Sequence, residues 1–173
     1  GMGKEKLIKE LGLDNTEAEK LFQRYHAKVP FIRALQDQCA RVAIERGYIK
    51  TFAGRRCRFD RWESRYERTP PLPLEEAKEK YGNDLKRSYT YKALNRLIQG
   101  SAADMTKLAM IGLWEEGIVP HLQVHDEVDI SIENTEQANT VTRIMENCVQ
   151  LAVPLLVDIE LGKSWGETKE IIK

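Results

Sequence analysis

Residues 121–133, "HLQVHDEVDISIE", limit the fold more than any other stretch of this chain. Apolar side chains stand at every second place: Leu122, Val124, Val128, Ile130 and Ile132. That is the period of a strand half-buried against a core, not of a helix. One place in the same register holds Asp126, flanked by His125 and Glu127. Two readings are open. Asp and Glu are common at tight bends, so the interruption can be a simple polar turn. Alternatively, a hairpin tip holds a rigid carboxylate at a sheet edge, where a hard cation such as Mg²⁺ can use it alongside phosphate oxygens. In either case the chain reverses near Asp126, and the stretch is expected to form an antiparallel hairpin.

The surrounding text is largely helical. A short helix is expected from Gly3 to Gly12, and a second begins where Thr16 and Glu19 stand in capping-box spacing. Pro30 breaks the chain and a long helix follows, with Ile32, Leu35, Cys39, Val42 and Ala43 along one stripe and Gly47 at its end. "YIKTFAGRRCRF" reads as a hairpin around Ala53-Gly54. Residues 60–85 hold three of the six prolines among mixed charges, which predicts an irregular surface excursion with one short helix after Pro73. A helical segment then runs on both sides of Gly100, with Leu94, Leu97 and Ile98 and then Ala103, Leu108, Ile111 and Leu113 expected against a core. Asn134 and Gln137 start a helix through "TVTRIMENCVQLA", and "VPLLVDIELG" reads as a final strand. The fold class expected is α+β, helices packed with a small antiparallel sheet toward the C-terminal end.

Charge restricts partners. The 27 basic and 27 acidic residues cancel, so a nucleic-acid partner must be held by a local patch and not by a global field. Such a patch exists on paper between Lys50 and Arg68, where Arg55, Arg56, Arg58, Arg61, Arg65 and Arg68 alternate with Phe52, Phe59, Trp62 and Tyr66. It reads either as a solvated ribbon of internal ion pairs or as a clamp on phosphates, whose oxygens guanidinium forks match. Asn95 and Gln99 lie four apart on one helix face. They can bond each other, or reach base edges and sugars in a groove. His26 and His121 have no partner at ligand spacing and are read as structural. Cys39, Cys57 and Cys148 are scattered and odd in number, which predicts reduced, structural thiols in a cytosolic setting. No apolar run approaches the roughly 18 residues of a spanning helix, and no leader is expected before the first charged segment.

Four segments in order, "GYIKTFAGRR", "ALNRLIQGSAADMTKLAM", "LQVHDEVDISIE" and "MENCVQLAVPLLVDIELGKSWGE", resemble the C-terminal part of DNA polymerase I-type (family A) DNA polymerases, especially phage-like ones. The resemblance covers nearly the whole chain, interrupted by residues 60–85. It implies a helical fingers-like segment over residues 1–46 and a partial palm over 47–173, with "QVHDE" at the turn of a palm hairpin (motif C). By the same resemblance Asp126 is a metal-binding aspartate, Glu127 the accompanying acid, and His125 a residue near the primer terminus. Asn95 and Gln99 match amides that contact DNA beside the nascent pair, and Arg55 and Arg56 lie along the duplex. The cofactor implied is Mg²⁺ in a two-metal site; the partners implied are primer–template DNA and, in a complete enzyme, a dNTP.

The departures set further expectations. The family's other metal aspartate lies upstream in a D-Y-S-Q-I-E-type strand, and nothing like it occurs here. The fingers helix that holds the incoming nucleotide is also missing, and Tyr91 stands where many relatives have Arg. Asp129, Asp158 and Glu160 lie on neighbouring strands but show no sign of replacing the missing aspartate. The chain is therefore expected to be a fragment, a split gene product or a prophage remnant, inactive alone and dependent on a complementary polypeptide. Alternatives are a DNA-binding module without catalysis, a metal-dependent nuclease, and a remnant that self-associates through open sheet edges. A cytoplasmic location, in a bacterial or phage-infected cell, is implied.

Overall fold

The computed structural model describes residues 4–170, and the chain divides into two compact units, Gly1–Gly100 and Ser101–Lys173. The expected start of the first helix at Gly3 lies outside the described residues.

The first unit opens with three helices, α1 (Lys4–Leu11), α2 (Asn15–Lys28) and α3 (Pro30–Arg46). The cap of α2 is not the Thr16–Glu19 pair expected from the sequence. Asp14 accepts from the N–H groups of Thr16 and Glu17 at 2.7 and 2.8 Å, while its own N–H donates to Glu17 Oε2 at 3.2 Å. The box slides two residues upstream because Asp accepts as well as Ser or Thr, and Glu17 is the residue three places on. Asp14→Ala is expected to cost about 1 kcal/mol, read as a lower midpoint for loss of helical circular dichroism; no change would mean that packing alone holds this helix start. Pro30 does open α3, at a first-turn position where its missing N–H costs nothing. Gly47 closes it in the left-handed region (φ 74°), donating to Ala43 O at 3.0 Å.

The expected hairpin follows α3. Strands β1 (Tyr48–Lys50) and β2 (Arg56–Arg58) pair antiparallel with Ile49 opposite Cys57. Behind them lies the core of this unit: Cys39 and Ala43 of α3, Ile49, Phe59 and Ala93, with Val42, Cys57, Leu94 and Leu97 packed against it. Burying Phe59 alone contributes about 1.5–3 kcal/mol. The excursion at 60–85 has more order than expected. The short helix after Pro73 is there (α4, Leu74–Tyr81), but two strands bracket it, β3 (Trp62–Ser64) and β4 (Leu85–Arg87), with Trp62 paired to Arg87. A 3-10 turn (Thr90–Lys92) leads into the long helix α5 (Ala93–Glu115), whose last residues in this unit end at Gly100.

In the second unit α5 continues, followed by β5 (Pro120–Val124), β6 (Glu127–Ile130) and α6 (Thr135–Glu146). Gly112 lets α5 and α6 approach closely, since a Cβ there would sit 2.9 Å from Ile144 Cγ2. Ala109, Leu113, Ile118 and Ala138 are buried around that crossing. Two expected core residues of α5, Leu108 and Ile111, are exposed, as is Ile98 in the first unit. Leu113 is buried as expected, and Asp104 and Ala109 complete the buried side of α5 in this unit. Asn134 caps α6 as expected, but the helix stops at Glu146, short of "CVQLA".

The expected final strand does not form across its length. Only β7 (Glu160–Leu161) pairs, with β8 (Lys169–Glu170); residues 154–159 are in no helix or strand. A strand exists through its partner, which composition alone does not supply. Val153 and Leu156 are 66% and 82% exposed as a result. The α+β class holds, as short antiparallel ribbons among helices. Among the described residues no helix is long and apolar enough to cross a membrane.

Candidate nucleic-acid and metal site

The hairpin of the second unit resolves the question of Asp126. Val124 pairs with Glu127, leaving His125 and Asp126 as a two-residue turn. Partners directly opposite one another share a face, so Leu122 and Val124 lie on the side of Asp129 and Glu127, while Val128 and Ile130 lie on the other with Gln123. The apolar register therefore changes face across the turn instead of running straight through it, as the sequence period suggested. Asp126 belongs to neither face. It projects from the tip, exposed, with His125 and Glu127 exposed beside it.

His125 carries the geometry. Its φ of 57° is left-handed, a conformation common in tight hairpins but costing a non-glycine residue about 1–2 kcal/mol. Gln123 Nε2 donates to the His125 carbonyl at 2.8 Å and ties the turn down. At the open end of the ribbon His121 Nε2 shares a 3.1 Å hydrogen bond with Ser131 Oγ, consistent with a structural role. Asp126 and Glu127 supply hard oxygen donors, the chemistry Mg²⁺ selects. Among the described residues, however, no group of three His, Cys, Asp or Glu side chains could hold a metal. Asp126 and Glu127 are candidate ligands, with no third such side chain grouped with them among the described residues.

The basic residues gather in the first unit. Arg55 and Arg56 are exposed at the β1–β2 turn, where Thr51 and Arg55 are joined by two hydrogen bonds and Gly54 has a φ of 86°. Arg55 also donates to Gly100 O on α5 at 2.8 Å, and Arg56 lies 4.8 Å from the Tyr48 ring centroid. Gly100 permits that approach, with Thr51 Cγ2 only 3.0 Å from where a Cβ would be. The arginine turn thus abuts the end of the helical face bearing Asn95 and Gln99, both exposed. The structure brings these four residues into one unit; Asp126, Glu127 and His125 are in the other.

Two arginines carry structure that the sequence reading missed. Arg87 donates to Ile44 O and Phe59 O at 3.2 and 3.0 Å and lies over the Trp62 ring at 4.4 Å. Arg96 donates to Arg58 O at 3.2 Å and covers the Phe59 ring at 4.7 Å. Their targets lie 25 to 43 residues away, so no local pattern announced them. Burial pushes the thiols of Cys39 and Cys148 up from their ordinary pKa, the second partly offset by a backbone hydrogen bond. Neither thiol is poised as a nucleophile at neutral pH. His26 packs edge-on against Phe22 at 4.6 Å, in keeping with its structural reading.

Comparison with known proteins places this architecture. The family model for DNA polymerase family A matches residues 1–167, and the chain belongs to that family. It is 40% identical over 152 residues to a DNA-directed DNA polymerase of Pseudomonas phage M6, covering 88% of this chain and 20% of that protein. It is 34% identical over 178 residues to the thermostable DNA polymerase I of Thermus aquaticus, covering 98% of this chain and 19% of that one. Among solved structures, the POL domain of Pol1 from M. smegmatis, in complex with DNA primer-template and dNTP, is similar with a TM-score of 0.65. There the identity is 27%, over 90% of this chain and 26% of that one. The chain spans about a fifth of the length of the curated relatives it matches.

Proposed function

We propose that this chain is a segment of a DNA-directed DNA polymerase, with residues 1–46 fingers-like and 47–173 a partial palm. It presents one of two metal-binding carboxylate motifs and part of the surface that holds primer–template DNA. The observation that carries the reading is the two-residue turn, which sets Asp126 and Glu127 exposed side by side in a chain of this family. In this reading Asp126 and Glu127 hold Mg²⁺, and His125 fixes the turn near the primer terminus. Arg55 and Arg56 lie along duplex phosphates, while Asn95 and Gln99 meet the base edges. When bound, Mg²⁺ supplies charge neutralisation for the primer hydroxyl and the leaving pyrophosphate. Half a donor set calls for the other half, so in this reading catalysis needs a second carboxylate motif brought beside Asp126 and Glu127, in the cytoplasm where template and dNTP are found.

A second reading, a DNA-holding module without catalysis, rests on the first unit alone, where the exposed Arg55–Arg56 turn abuts the helical face of Asn95 and Gln99. One experiment serves both: binding of a fluorescent primer–template duplex across a salt series. Each phosphate contact contributes a slope of about 0.9 in log affinity against log salt. The Arg55→Ala, Arg56→Ala double variant is expected to weaken binding and flatten that slope by roughly one to two. Because Arg55 also bonds Gly100, the variant's melting curve is recorded alongside. An unchanged salt slope in a folded variant would remove the arginine turn from the DNA surface.

A further inference from the structure

We infer that Tyr91, set beside Tyr89 and Lys92 at the foot of α5, is a stacking site for an unpaired nucleobase at the end of a duplex; this rests on the DNA-holding reading above. The 3-10 turn Thr90–Lys92 runs directly into α5, so Tyr91 stands just ahead of Asn95 and Gln99, which lie four apart on one face of that helix. All three are exposed, Tyr91 by 63%. Tyr89 just before them is held at a φ of 62°, a left-handed backbone that favours glycine, and its side chain is 38% exposed. The Lys92 ammonium lies 5.0 Å from the centroid of the Tyr89 ring and 5.7 Å from that of Tyr91.

A single exposed tyrosine needs no explanation. Two of them sharing one ammonium, with the backbone strained at the first, are a built arrangement. Strain of that kind persists only where the surroundings enforce it. Amides reach base edges in the groove of a paired duplex, whereas an aromatic ring offers a face to bases that pairing no longer holds. An aromatic group just ahead of a pair of amides therefore marks the place where pairing stops. The ammonium between the rings suits the phosphate attached to such a base, and the exposure of Tyr91 leaves ring surface for the stack.

The test uses the full chain with two fluorescent probes, a duplex carrying a single-stranded 5′ overhang and the same duplex made blunt. Wild type is expected to bind the overhang probe more tightly. Tyr91→Ala is expected to lose roughly tenfold on that probe and nothing on the blunt one. Tyr91→Leu, which keeps apolar bulk, should lose as much, and Tyr91→Phe should retain binding because the ring and not the hydroxyl makes the stack. Trp165→Ala, an aromatic side chain 60% exposed in the second unit, should match wild type on both probes. Equal losses on the two probes, no loss on either, or failure of Tyr91→Phe would each overturn the stacking site while leaving the DNA-holding reading intact. Wild type binding neither probe would overturn that reading and the stacking site with it.

Discussion

Asp126→Asn is expected to abolish primer extension by any enzyme reconstituted from this chain and a polypeptide carrying the missing aspartate motif, a fall of at least about 10²–10³-fold. The substitution keeps the size of the side chain and, at an exposed turn position, should leave the hairpin folded. What it removes is charge: an amide oxygen is a poor substitute for a carboxylate on a small divalent cation. The paired control is the isolated wild-type chain with Mg²⁺, which is expected to extend no primer because two adjacent carboxylates fall short of a two-metal site. Robust extension by that chain alone would show that its own residues complete the site. Activity surviving in a reconstituted Asp126→Asn enzyme would instead detach the hairpin from catalysis.

Local chemistry made much of this architecture readable. Pro30 and Gly47 bound α3 because a first-turn proline and a left-handed glycine act on their own backbone, whatever lies around them. The hairpin tip was equally visible, since alternation and a polar pair locate a reversal within a residue or two. What escaped were consequences of pairing. The period of residues 122–132 seemed to define one apolar face, yet a two-residue turn divides those residues between two faces. Residues 154–159 have strand composition but are in no helix or strand. Trp62 and Arg87 meet across 25 residues of apparently irregular text, and that contact turns the excursion into a bracketed ribbon. For the site, adjacent residues could be singled out from sequence, as at His125-Asp126-Glu127. The bond from Arg55 to Gly100 could not, because it depends on which surfaces fold together.

Gly47→Ala is expected to destabilise the first unit by about 3 kcal/mol, more than any exposed substitution proposed above. Part of the cost is local: a φ of 74° disfavours any side chain by about 1–2 kcal/mol. The rest comes through Arg87. A methyl at Gly47 would lie 2.8–2.9 Å from three atoms of its guanidinium, so the arginine must move. Moving it weakens the bonds to Ile44 O and Phe59 O and the stack on Trp62, a combined loss on the order of 1–2 kcal/mol for a half-buried group. In a chain of this length about 3 kcal/mol corresponds to a melting shift of roughly 6–12 °C. A double-mutant cycle with Arg87→Met separates the two parts. With the guanidinium already gone, Gly47→Ala should cost only its backbone share. An identical cost in both backgrounds would mean that Arg87 yields freely, and that the junction of α3, β2 and β4 is held by the buried core around Phe59 and not by this arginine.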